Sequence, residues 1–106
     1  MADVIKKMYL GQPGTGDTLL YTAPAGGAIV RQIHVANTTT SPASITIGLN
    51  AGAGMVAAEH FLSAVMVPAN DTYDWSGFAV LDASETIRGL QGTASALTVH
   101  ISGVEQ

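Results

Sequence analysis

The chain of 106 residues has room for one small domain, and its lack of cysteine removes disulfides and thiolate metal sites. A net charge of −4, with only Lys6, Lys7, Arg31 and Arg88 cationic, argues against the basic stripe that nucleic-acid binding needs. Charged residues make up 11%, against about 25% in ordinary soluble domains, while 47% are hydrophobic, many of them alanine, so an exterior covered by other chains is expected.

Turn signals rich in Gly, Pro, Asn, Asp and Ser recur along the chain and leave runs of strand length between them, the spacing of an all-β sandwich or barrel. Val4 to Leu10 is the first strand. Residues 1–17 are expected to form an N-terminal arm, or a first strand and turn, ahead of a β-sandwich over 18–106. As an arm, with Lys6 and Lys7, they would lie on a partner surface. Thr18 to Ala23 is the second strand. In Ala28 to Asn37, Ile33 and Val35 point inward and Gln32 and His34 outward; Val30 breaks that parity, which predicts a bulge or an edge near Arg31. Ile45, Ile47 and Leu49 share one face of the next strand.

His60 to Val67 is apolar on both faces: Phe61, Val65 and Val67 on one, Leu62, Ala64 and Met66 on the other. A strand covered on both sides is expected, and Leu62, Ala64 and Met66 are candidates for contact with a neighbouring subunit. A helix over Met55 to Met66 is the competing reading, because MVAAEHFLSAVM contains good helix formers. Tyr73 to Leu81 follows, broken at Ser76-Gly77; then Ser84 to Leu90; then Ala96 to Ser102 with Leu97, Val99 and Ile101 inward and Thr98, His100 and Ser102 outward. The expectation is a small antiparallel sandwich of about eight strands, jelly-roll or Greek-key-like.

Several stretches imitate chemistry. Gly11-Gln-Pro-Gly-Thr-Gly-Asp-Thr18 is one letter from a phosphate-binding loop, but Asp17 stands where the lysine is required, and Pro24 closes the following run before a helix can form. A turn between strands is expected. Gly52-Ala-Gly-Met-Val-Ala57 matches a dinucleotide fingerprint without the alternating strands and helices that give it meaning. His34, His60 and His100 lack metal-ligand spacing, so His34 and His100 are taken as exposed or interface histidines. Asp71, Asp74, Asp82 and Glu85 lie in or near loops, where turn chemistry accounts for them. Tyr73 and Trp75 suit packing at a core edge; with Phe78 they are also the aromatics that a carbohydrate-binding or host-surface adhesion module would use. Asn37-Thr-Thr39 and Asn70-Asp-Thr72 match a glycosylation sequon that has no secretory signal beside it. No catalytic, cofactor or metal site is expected, no small-molecule substrate, and no segment approaches the ~20 apolar residues of a membrane span.

Three segments carry a resemblance: Leu20-Tyr-Thr-Ala-Pro-Ala-Gly-Gly-Ala-Ile-Val-Arg-Gln-Ile-His-Val-Ala-Asn-Thr-Thr39, Val67-Pro-Ala-Asn-Asp-Thr-Tyr-Asp-Trp75 and Ala94-Ser-Ala-Leu-Thr-Val-His-Ile-Ser-Gly-Val104. Taken together, the chain from Leu20 onward resembles the small β-sandwich virion proteins of tailed bacteriophages, which serve as capsid decoration (cement) proteins or as minor tail and fibre components. The penultimate turn, Leu81-Asp-Ala-Ser-Glu-Thr-Ile87, departs from that style. The resemblance implies a non-enzymatic protein made in the host bacterial cytoplasm and carried in the virion. It implies the major capsid protein or another virion protein as partner, and a homo-oligomer, with a trimer as the expectation. It transfers no individual residue's role, since packing is the family's work.

Overall fold

Period-two alternation and frequent turns build two four-stranded antiparallel sheets. The computed structural model describes residues 4–49 and 57–105. The strands are β1 (Val4–Gly11), β2 (Thr18–Thr22), β3 (Ala28–Asn37), β4 (Ala43–Leu49), β5 (His60–Val67), β6 (Thr72–Leu81), β7 (Thr86–Gln91) and β8 (Leu97–Glu105). Sheet A has the order β1-β8-β3-β6 and sheet B the order β2-β7-β4-β5. The chain pairs about its middle: β1 with β8, β2 with β7, β3 with β6 and β4 with β5. Rolling that ribbon up adds the β3–β8 and β4–β7 pairs. The result is a double Greek-key jelly roll, the small all-β sandwich that the turn spacing predicts.

The core lies between the sheets. Val30, Ile33, Val35, Leu97, Val99 and Ile101 from sheet A meet Ile45, Ile47, Val67 and Ile87 from sheet B, all fully buried. Each such side chain contributes about 1.5–3 kcal/mol by leaving water. Of the bulge or edge expected near Arg31, the bulge is present, in a strand that is interior to its sheet. The register of β3 shifts between Val30 and Gln32 against both neighbours, so Val30 and Ile33 face the core although they are three residues apart. Strand β1 shifts likewise between Lys7 and Tyr9, turning Met8 inward. Gly103 of β8 lies between these two irregular strands. A Cβ there would collide with the Ile29 carbonyl and come within 2.8 Å of Met8 Cε, so only glycine lets both strands close on β8.

Two sequence expectations change, at Ser76-Gly77 and at Leu62. Residues 4–11 are a full edge strand paired along β8. Residues 60–67 are strand, as first read, and the described part of the competing helix over Met55 to Met66 holds only a 3₁₀ turn at Ala57–Glu59; residues 50–56, with most of the Gly52–Ala57 stretch, lie outside the described residues. Strand β6 runs unbroken through Ser76-Gly77, with Ser76 paired to Gln32 and Gly77-Phe78 forming the irregularity opposite Arg31. Leu62 is in the core opposite Ile47. It does not share an outward face with Ala64 and Met66, because the register of β5 slips at Ser63-Ala64, where Ala64 has φ 48°.

Candidate interaction surface

The phosphate-loop imitation is absorbed by a turn. Between β1 and β2, Asp17 of the GQPGTGDT stretch pairs with Arg88 Nε at 2.8 Å. Thr18 Oγ1 donates to the Gly16 carbonyl at 2.9 Å and accepts from Gly14 N–H at 3.2 Å. Buried Gln91 pins the same turn: its backbone N–H donates to Gly14 O at 3.0 Å and its Nε2 to Pro13 O, while its Oε1 accepts from Leu97 N–H at 2.8 Å and Ala96 N–H at 3.2 Å. This loop leads into a strand and spends its polar groups on its own geometry, which leaves no phosphate cradle.

Asn37 is also structural. Its Nδ2 donates to Ser41 O and Val67 O, and its Oδ1 accepts from Thr39 N–H and Oγ1. That buried amide has no face for a glycan. The carboxylates are spread out: Asp71 accepts from Thr72 N–H in one turn, Glu85 accepts from Asp82 N–H in another, and Asp74, on β6, meets His34 Nδ1. Among the described residues, no three His, Asp or Glu side chains converge on a metal-sized site. Tyr73 and Trp75 are half-buried against the core, with Trp75 edge-to-face on Phe61, whereas Phe78 projects outward. The three aromatics therefore do not form one stacking platform.

What remains exposed is organised by register. On the outer face of sheet A, the pairings Ile5–Val104, Val104–Ile29 and Ile29–Val80 place one apolar residue from each of the four strands in a single row. Ile5 is 90% exposed and Val80 58%, and Phe78, 65% exposed, stands beside the row. The next row is Lys7, Ser102, Gln32 and Ser76. The one after it is Leu10, His100, His34 and Asp74, so the two candidate histidines are direct cross-strand neighbours. His34 Nδ1 and the Asp74 carboxylate are hydrogen-bond partners at the β3–β6 end of that row.

Lys6 and Lys7 lie on the exposed β1 edge of that sheet, and Arg31 sits at the β3 bulge with Nε donating to Gly77 O at 3.0 Å. Of the remaining candidates, Met66 and Ala64 are exposed on β5 of sheet B, far from these rows, and Leu62 is inside. The candidates Lys7, His34 and His100 thus share the outer face of sheet A, with Lys6 at its rim. The apolar row through Ile5, Ile29, Val80 and Val104 was missed from sequence. Its signal was present only as unexplained apolar residues on outward positions, since β1, β8, β3 and β6 are not consecutive in the chain.

No protein-family description matches the chain, and no curated protein shows significant sequence similarity to it. Its fold is similar to that of a chain in the acidic stable capsid structure of Helicobacter pylori bacteriophage KHP30. That match has a TM-score of 0.56 and 10% sequence identity, and covers 97% of this chain and 93% of that one.

Proposed function

We propose that this protein is a non-enzymatic structural component of a tailed-bacteriophage virion, a capsid decoration protein that binds the head shell in many copies. The observation that carries the reading is the likeness of fold to a phage capsid chain across nearly the whole length of both. Two features add support. The chain is under-charged, at 11% charged residues, as suits a surface largely covered by other subunits. Its polar clusters at Gln91, Asn37 and Asp17–Arg88 are consumed in holding loops rigid, and rigidity is what a shell component needs. Many modest contacts made on one particle add up multivalently. In this reading the partner is the major capsid protein, the copies gather as a trimer, and synthesis takes place in the host cytoplasm. Quantitative mass analysis of purified virions tests it. Hundreds of copies per particle are expected; a few copies would move the protein to a tail or fibre, and none would remove it from the virion.

A further inference from the structure

We infer that the outer face of sheet A is the docking face of this protein, and that it is covered by a protein surface with an apolar centre and carboxylates opposite Lys7 and Arg31. The inference deepens the capsid reading and rests on it for the partner's identity as head shell.

Four exposed or half-exposed apolar side chains in one cross-strand row, with Phe78 alongside, make a contiguous patch of the kind that marks an interaction site. At about 4.8 Å between strands, the row crosses some ~15 Å of sheet. Its β3–β6 end opens into a cleft lined by Gly26, Gly27, Ile29, Val80 and Asp82, a receptacle for one projecting side chain of the partner. Sheet B offers no counterpart. Its exposed apolar residues Leu19 and Met66 sit on β2 and β5, at opposite edges, and between them Arg88 is neutralised by Asp17.

Charge selects the occupant. The protein carries −4 overall, yet Lys7 and Arg31, two of its four cations, lie on this face, and Lys6 stands on the adjoining β1 edge. Among the described residues none of the three has a carboxylate within ion-pair distance. Among the described residues, the acids flanking the apolar row are Asp82 at the cleft and Asp74, held by His34 two rows away. An acid-rimmed apolar surface would complement both Lys7 and Arg31, whereas a second copy would present the same two cations on this face.

The test uses particles assembled without this protein, to which purified full-length protein is added and its occupancy titrated. Three double variants are compared with wild type: Phe78→Ser/Val80→Ser, Lys7→Glu/Arg31→Glu, and the sheet B control Leu19→Ser/Met66→Ser. All six side chains are solvent-facing or at an edge, and unchanged melting temperatures establish that each variant folds. Loss of affinity by about tenfold or more is expected for the first two, with wild-type behaviour for the control. Wild-type binding should also weaken as salt rises. Normal binding by the Phe78/Val80 variant, or loss confined to the control, overturns the docking face. Normal binding by the Lys7/Arg31 variant overturns the carboxylate partner. Self-association of the wild type in sedimentation, abolished by Phe78→Ser/Val80→Ser, makes a second copy the occupant and overturns the inference. If the protein is missing from virions and wild type fails to bind particles, the capsid reading falls and the inference with it.

Discussion

Phe61 of β5 and Trp75 of β6 meet edge to face, with ring centroids 4.7 Å apart and ring planes at 87°. The two strands belong to different sheets and are the edges of each, so this pair closes one side of the sandwich. Such aromatic pairs contribute about 0.5–1.5 kcal/mol beyond the area they bury. A double-mutant cycle with Phe61→Ala and Trp75→Ala, followed by urea unfolding, is expected to return a coupling energy in that range. Trp75→Phe should retain most of the stability. A coupling of zero would mean that the rings merely lie near each other. On a glycan array, Trp75→Ala is expected to behave as the wild type, since the indole is occupied by Phe61.

Gln91 gives the second prediction. It is fully buried and ties the β1–β2 turn to the start of β8 through Pro13, Ala96 and Leu97. Gln91→Met keeps the volume but strands two buried N–H donors and one carbonyl. Each unsatisfied group costs about 1–3 kcal/mol, so destabilisation of about 3 kcal/mol or more is expected. Hydrogen exchange should localise the damage, with protection lost first at Ala96 and Leu97. Uniform loss of protection across both sheets would count against the local account.

Much of this architecture was legible in the sequence, for a physical reason. Where an apolar residue recurs every second position, as in Ile45-Thr-Ile47 and Leu97-Thr-Val-His-Ile101, the strand and its buried face follow directly, and Ile45, Ile47, Leu97, Val99 and Ile101 are all buried. Even the Arg31 bulge announced itself, because Val30 and Ile33 cannot both face inward on a regular strand. The β5 irregularity did not. Ala64 adopts positive φ without being Gly or Asn, the residues that normally signal it, so Leu62 was assigned to the wrong face. The candidate surface was hardest, because its residues come from four strands that are distant in sequence. His34 and His100 could be seen to face outward, but their adjacency is a product of register.

Gly103 separates space from conformation. A methyl group there would strike the Ile29 carbonyl, backbone that cannot swing away without breaking the β3–β8 pairing. Gly16, in the β1–β2 turn, has nothing within 4 Å of an added Cβ. Gly103→Ala is expected to lower stability by about 3 kcal/mol or more, an effect in the range of severe overpacking. Gly16→Ala should lie within about 0.5 kcal/mol of wild type. Equal melting temperatures for the two variants would show that the bulged strands can part at little cost.

Tyr21 of β2 donates its phenolic proton to the Glu105 carboxylate at the end of β8, bridging the two sheets. Burial, then that hydrogen bond and the carboxylate's charge, push the phenol well above its usual 10.0. The folded state therefore holds this proton more tightly than the unfolded chain does. Below about pH 10 both states carry it and the contribution to stability is complete. As the pH rises past that point the unfolded chain ionises first, and stability falls steadily until the folded phenol ionises too. Denaturation midpoints taken from neutral pH upward should thus decline at the alkaline end. Tyr21→Phe is expected to lower stability at neutral pH by about 2 kcal/mol, the worth of a bond to a charged acceptor, and to flatten the alkaline decline. A shallow slope should persist from Tyr9, whose pKa burial also raises. An alkaline slope unchanged in Tyr21→Phe would mean that the Tyr21–Glu105 bridge does not hold the sheets together.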